Sequence, residues 1–300
     1  MSHLSHISAA VIVLALASLP VAGDERVRPG AREKAAPQRI VRVGAVAYAP
    51  SAVTVFDNLR RYFARTDLPV DYVLYSNYDA LVDALAKGHV DIAWNTPLAH
   101  ARYHLRCKGQ SQTLVMRDVD CDCRCVLLVR RESGIRTPAD LQGKTLALGS
   151  REAAEATVLP LHYLKSEGVT PDKVKLLKLD EELDLRGNPC SSPAHVLKAL
   201  RAGRADAGIV PERLWDAMAA RKADVDGLQA VWTSPSFSHC VFTAAKDFDK
   251  ARADRFTQLM LAMDGKDEGT AEILRLEGAR RWVAGSPDGF RTLVESLRAP

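Results

Sequence analysis

A unit that occurs twice limits the folds open to this chain. The run SNYDALVDALAKGHVDIA at 76–93 is echoed about 115 residues later by SSPAHVLKALRAGRADAG at 191–208. Each copy has a capping residue (Asn77, Ser192), an apolar stripe at helical spacing (Leu81, Ala84, Leu85; Val196, Ala199, Leu200) and a glycine stop, Gly88 or Gly203. Each then sets an aspartate, Asp91 or Asp206, at the mouth of a short apolar run that reads as a buried strand. A helix feeding a strand through a glycine turn is the building block of a parallel α/β sheet, and two copies predict two similar α/β lobes.

The segments between the copies follow the same alternation. IVRVGAVA reads as a first strand, SAVTVFDNLRRYFART as a helix, VDYVLYS as a strand and VDIAW as another. RCVLLVRR reads as a long strand leaving the first lobe, TPADLQGKTLALGS as a short helix and the first strand of the second, and VWTSPSFSHCVFTAA as a strand returning. The tail, with FTQLMLAM, TAEILRL and FRTLVESLR, reads as helical. The expected organisation is lobe one at 39–127 and 236–300, lobe two at 128–235, and two hinge strands between them. Ligands of such sheets lie at strand C-terminal ends and helix N-termini, so a site is expected in the cleft.

Upstream, Ala9–Leu19 is an uncharged apolar run, too short for the ~20 residues that span a bilayer. Pro20 ends it, and Val21-Ala22-Gly23 supplies small residues before Asp24. The reading is a signal peptide over 1–23, with no Lys or Arg in its leading MSHLSH, followed by a polar linker over 24–38. Export to the periplasm is the expectation. Over 300 residues, 41 Lys plus Arg stand against 37 Asp plus Glu, a net +4 too small to argue for nucleic acid. No nucleophile elbow, Walker loop or His-Glu-x-x-His motif is present, so no hydrolase is expected.

From 39 to about 248, VGAVAYAPS, DYVLYSNYDALVDALAKGHVDIAWNTPLAHAR, VRRESGIRTPADLQGKTLALGSREAAEATVLPLHYLKSEGV and HVLKALRAGRADAGIV closely resemble, in order, the phosphate/phosphite/phosphonate substrate-binding proteins of ABC importers. That resemblance implies the type II periplasmic-binding fold, a small oxyanion ligand, permease subunits as partners and no cofactor. It puts Tyr78 in the place of a ligand-facing tyrosine. The family's aromatic-Gly-Pro-x-x-Tyr pattern falls on Asn95, Thr96, Pro97 and His100, and its phosphonate-gripping Ser-Thr-Ser-Gly run on Ala153-Ala154-Glu155-Ala156, with all three hydroxyls gone.

The residues themselves add to this. Ser150 reads as the cap of a helix opening with Arg151 and Glu152, whose N–H groups and positive dipole end suit an anion. Glu152 and Glu155 are expected to steady the helix start and face solvent; pointing inward, they would exclude a free dianion. Thr96 before Pro97 reads as a cap and N1 pair. Tyr48, followed by Ala-Pro-Ser51, faces the cleft from the first loop, and Trp94 either packs the core or walls the ligand. The candidate ligand residues are therefore Tyr48, Ser51, Tyr78, Trp94, Asn95, Thr96, His100, Ser150 and Arg151.

Six cysteines complete the picture, three of them in Asp120-Cys121-Asp122-Cys123-Arg124-Cys125. In an exported chain disulfides are the plain expectation, with 15 possible pairings. The alternative is a thiophilic site at Cys121, Cys123 and Cys125, which would suit arsenite sensing or thiol redox chemistry. The leading expectation is a monomeric periplasmic solute-binding protein, not an enzyme, closing on a phosphonate-like oxyanion.

Overall fold

The computed structural model describes residues 39–298 other than 48, 151–152, 178, 180–181, 184–188, 191–192 and 222–224. The expected signal peptide, the linker, the Ser192 cap and the site candidates Tyr48 and Arg151 lie outside the described residues. In chain order the first elements are β1 (Val41–Val46), α1 (Ala52–Phe63), β2 (Val70–Tyr75), α2 (Tyr78–Ala86), β3 (Ile92–Asn95), α3 (Pro97–Arg106), β4 (Gln112–Thr113) and β5 (Val115–Arg117). There follow β6 (Cys125–Arg130), β7 (Thr145–Ala147), α4 (Leu159–Ser166), β8 (Lys175–Leu177), β9 (Glu182–Leu183), β10 (Pro189–Cys190), α5 (Pro193–Arg201), β11 (Ala207–Pro211), α6 (Glu212–Ala220) and β12 (Leu228–Thr233). The chain closes with β13 (Val241–Ala244), α7 (Lys250–Leu261), α8 (Glu268–Leu276), β14 (Trp282–Ala284) and α9 (Arg291–Arg298).

Two five-stranded sheets carry the fold, ordered β2-β1-β3-β13-β4 and β12-β6-β11-β7-β8. Each has parallel strands at its heart, β2·β1·β3 and β11·β7·β8, flanked by antiparallel strands. Both faces of each sheet are covered, as near-continuous apolar strands require. On the first sheet Val41, Val43, Ile92 and Trp94 pack with α1, α7 and α8 residues such as Phe56, Phe256 and Ile273. Its other face meets α2 and α3 through Val46, Ala93, Leu81 and Tyr103. On the second sheet Leu127, Val129 and Ile209 pack against Leu164 on one side, while Val126, Leu128 and Val210 meet Val196 and Leu200 of α5 on the other.

The sequence echo is also an echo of hydrogen bonding. Asp91 accepts from the Arg42 N–H at 2.8 Å and Asp206 from the Thr145 N–H at 2.8 Å. Each aspartate also donates its own N–H to the carbonyl of that residue at 2.8 Å. An aspartate at the mouth of β3 or β11 thus staples the entry of the neighbouring parallel strand, β1 or β7. Charge-assisted bonds of this kind contribute ~1.5–3 kcal/mol each. Gly88 and Gly203, at φ +69° and +70°, make the turn that brings each aspartate there.

The chain passes from first sheet to second through 118–124 and returns through 234–240. RCVLLVRR is therefore β6, a strand of the second sheet paired with β11 and β12 rather than one leaving the first. The two passing segments pair with each other at Cys123 and Phe237. An apolar seam of Leu98, Ala101, Ala154, Leu159, Phe237 and Leu293 joins α3, α4 and α9 beside them.

Candidate functional site

The C-terminal ends of β2, β3 and β7 point toward a common cavity of about 290 Å³. From the first sheet come Tyr78, which opens α2, and Thr96, Pro97, Leu98, Ala99 and Arg102 of the α3 start; from the second come Ser150, Ala153, Ala154 and Glu155; from the returning segment comes His239. Cavities at facing strand ends are where open α/β sheets bind ligands.

The local sequence explains the first wall. Asn77 caps α2 by accepting the Ala80 N–H at 2.9 Å, and Thr96 caps α3 by accepting the Ala99 N–H at 3.3 Å. Pro97 brings no N–H, so Leu98 is the amide of that turn which the cap does not take. Two helix starts with their positive dipole ends therefore face the cavity. Arg102 adds a guanidinium, paired with Asp79 at 3.2 Å.

The second wall departs from expectation. Ser150 does not open a helix: its carbonyl accepts the Ala153 N–H at 2.9 Å, and among the described residues helix begins at Ala154. That helix starts with a wide turn over Ala154–Val158, in which Val158 donates to Ala153 and Leu159 to Ala154. The cause is close packing against the strand end. A Cβ on Gly149 would meet the Ala156 Cβ at 2.4 Å, and the Gly149 N–H and carbonyl bond Ala156 and the Thr157 hydroxyl. Wide turns of this type occur frequently at functional sites. Here it turns Glu155 inward rather than to solvent.

Glu155 Oε2 lies 3.2 Å from His239 Nε2, and on the other side of the ring Nδ1 lies 3.2 Å from Asp120 Oδ1. Asp120 is fully buried and held by Arg117 through bonds of 2.5 and 2.9 Å, and Arg117 reaches the buried Glu277 at 3.2 Å. The result is a chain of alternating charge, Glu277, Arg117, Asp120, His239, Glu155, running from the end of α8 to the cavity wall. Burial disfavours a charged imidazole, yet Cys240, Asp120 and Glu155 outweigh it and hold His239 well above the ordinary histidine range. Burial would raise the Asp120 and Glu155 carboxyls; for Asp120 the bonds from His239 and Arg117, and for Glu155 those from His239, reverse this and hold both below the usual carboxylate range.

Of the residues singled out from the sequence, Tyr78, Thr96 and Ser150 line this cavity. Trp94 does not: it sits in the first core, 4.6 Å from the Phe242 ring and 5.7 Å from Trp282. Strand alternation places it with Ile92, on the face covered by α1 and α7. His100 is buried elsewhere, hydrogen-bonded to the Thr243 hydroxyl at 2.8 Å and 4.4 Å from the Phe290 ring. Burial, then the nearby His104, pushes its pKa down to about 3, so it is a neutral ring near neutral pH. Asn95 is 1 % exposed, and its amide nitrogen and oxygen have no partner among the described residues. Ser51 begins α1 without a side-chain capping bond and does not line the cavity.

The five cysteines with described side chains are free thiols, so none of them takes part in the disulfides expected. Burial pushes the Cys123 thiol up to about 11 and that of Cys125 up to about 12, and raises Cys121, the reverse of what a reactive thiolate or soft-metal ligand needs. Cys121, Cys123 and Cys125 form no converging ligand cluster among the described residues. Neither arsenite sensing nor thiol redox chemistry finds support in them. His239, Arg117 and Glu277 had no motif to announce them; the one signal was a His-Cys pair in a returning segment of a chain with an acidic 118–122 run.

Comparison with known proteins bears on the family and the fold. Residues 44–290 match the family described as ABC transporter, phosphonate, periplasmic substrate-binding protein. Among solved structures, PhnD1 from Prochlorococcus marinus in complex with methylphosphonate superposes with a TM-score of 0.62 at 19% identity, covering 86% of this chain and 97% of that one. XAC2383 from Xanthomonas citri bound to ATP gives 0.67 at 16% identity with the same coverages. A binding protein component of an ABC phosphonate transporter from Pseudomonas aeruginosa gives 0.56 at 13%, covering 86% and 85%.

Proposed function

Because this chain belongs to the family of periplasmic phosphonate substrate-binding proteins of ABC transporters, we propose that its cleft takes a phosphonate-type oxyanion between Tyr78 and the α3 start on one wall and Ser150 to Glu155 on the other. The observation that carries this is the cavity itself, set where β2, β3 and β7 end and where two capped helix starts converge. The oxyanion lies toward those starts, within reach of the Thr96 hydroxyl and the Leu98 amide, with the His239 imidazolium nearby. A small-molecule ligand and inner-membrane permease subunits are the partners the family implies.

The second wall sets the strength of binding. The positions of the family's three hydroxyl donors fall on Ala153, Ala154 and Glu155, all of which line the cavity. Each lost bond to a charged group is worth ~1.5–3 kcal/mol, so losing two weakens binding of simple phosphonates by about 100-fold to 10,000-fold. Glu155 adds a negative charge, which works against a free dianion.

The finer reading is a monomer that binds and releases its ligand without chemistry, does not engage nucleic acid, and is exported by a signal peptide at 1–23 ahead of a linker at 24–38. Its two lobes, which meet at the paired passing segments 118–124 and 234–240, close about those segments. The test is native mass spectrometry of protein purified from the periplasm, paired with small-angle scattering. A retained or titrated phosphonate that shrinks the radius of gyration supports the reading. Stabilising ligands that leave the radius unchanged sink the closure, and failure of any phosphonate to bind sinks the assignment of the cleft.

A further inference from the structure

The inner side of the His239 ring presents an arrangement that oxyanion binding does not use. Nδ1 lies 3.2 Å from Asp120 Oδ1 and 3.1 Å from Cys240 Sγ, and the three atoms are all within 4.8 Å of one another. On the outer side, Nε2 faces Glu155 at 3.2 Å. When Nε2–H donates to Glu155, the Nδ1 lone pair, a carboxylate oxygen and a sulfur converge on one point. Something positive belongs there, either a proton on Nδ1 shared between Asp120 and Cys240 or a metal ion.

We propose that Asp120, His239 and Cys240 form a binding site for a zinc-class divalent cation at the segments joining the two sheets. The donor set, one nitrogen, one sulfur and one carboxylate oxygen, is that of zinc, whose bonds to these atoms run at ~2.0–2.3 Å. Tetrahedral ligands at that range stand roughly 3.3–3.8 Å apart, so the Nδ1 pairs fit with a small outward adjustment. Three protein ligands leave a fourth position for water.

The surroundings suit such a site. Glu155 receives Nε2–H, as the carboxylate behind a metal-bound histidine does, and Arg117, itself held by Glu277, fixes the Asp120 carboxylate with two bonds. The peptide N–H of His239 donates to the Asp120 carbonyl at 2.8 Å, so the backbone already joins two of the three ligands. A carboxylate oxygen and a sulfur beside the ring nitrogen favour a cation at this point, and binding one displaces whatever protons the ligand atoms carry. With a single sulfur the site does not suit arsenite, which calls for several thiolates. It is separate from the oxyanion pocket but shares the ring of His239 with it, so an occupied site couples to Glu155 across that ring.

The experiment is zinc titration of the purified full chain, kept reduced, at pH 6.5 by calorimetry. The expected result is one zinc per chain. Cys240→Ser lowers affinity at least tenfold, Glu155→Gln lowers it about tenfold, and Cys121→Ser changes nothing. Cobalt in place of zinc gives a sulfur-to-metal absorption band that Cys240→Ala removes without any change in far-ultraviolet dichroism. No saturable zinc binding, or binding and a cobalt band that persist unchanged in Cys240→Ala, overturns the proposal and leaves the shared proton as the occupant.

Discussion

Replacing Glu155 with Gln removes the carboxylate that faces His239 from the cavity wall and keeps its shape. The cavity of about 290 Å³ has a radius of about 4 Å if taken as a sphere. An anion at its middle then sits roughly 6 Å from the carboxylate. At an effective dielectric of about 40, between protein and water, two unit charges at that distance repel by ~1.4 kcal/mol, about tenfold in affinity for each charge on the ligand. An opposing effect comes from the ring. Losing a charge-assisted bond to Glu155 makes the His239 imidazolium easier to deprotonate. Asp120 and Cys240 still favour the charged ring in the variant, and working at pH 6 favours it further. Calorimetry with methylphosphonate at pH 6, with a chelator present, is expected to show Glu155→Gln binding about tenfold tighter than the parent. The gain is expected to shrink as pH rises, because the variant's ring gives up its proton more readily than the parent's. Unchanged or weaker binding at pH 6 refutes the reasoning, since it would make Glu155 a ligand contact or place the anion out of its reach.

Further outcomes follow from the same geometry. Tyr78→Ala and Thr96→Ala should weaken methylphosphonate binding while the protein stays folded, with Thr96→Ala losing ~1 kcal/mol of stability with its cap; a collapsed melting transition with affinity intact would make both purely structural. Arg117→Met should cost about 3–5 kcal/mol in denaturant unfolding, because it leaves the fully buried Asp120 short of its guanidinium. Arg255→Ala, which breaks exposed contacts with Asp67 and Gln258, should leave the unfolding midpoint nearly unchanged. His100 adds a pH dependence: its folded pKa of about 3 lies below its unfolded value near 6.5, so the unfolded chain binds the extra proton and stability falls with pH through that window. At pH 5 the loss is ~2 kcal/mol, and His100→Gln should flatten that part of the stability profile.

The sequence made the scaffold legible because its signals are local. The glycine-aspartate turns at 88–91 and 203–206 and the caps Asn77 and Thr96 are each written within a few residues, and each forms as read. What was not legible depends on partners distant in sequence. Ser150 looked like a cap, but the wide turn after it exists because Gly149 admits Ala156, and that packing carries no local signature. His239 meets Asp120 and Glu155 from segments about 119 and 84 residues away, so neither the inward turn of Glu155 nor the alternating charge chain could be read from spacing. Trp94 was within reach: the period of two already set it beside Ile92 on a core face. His100 was carried to the ligand by family position alone, whereas its ring is committed to Thr243 and Phe290.

The central claim is that the oxyanion lies in the cleft against the two helix starts. A crystal structure of the protein grown with methylphosphonate tests it most directly. The phosphonate is expected in the cavity bounded by Tyr78, Thr96 and Glu155, with an oxygen within about 3 Å of the Thr96 hydroxyl or the Leu98 amide and the alkyl group turned toward Ala153 and Ala154. A phosphonate bound only elsewhere, such as the cavity of about 500 Å³ between Arg61 and Asp267, with the cleft left to water, would contradict it.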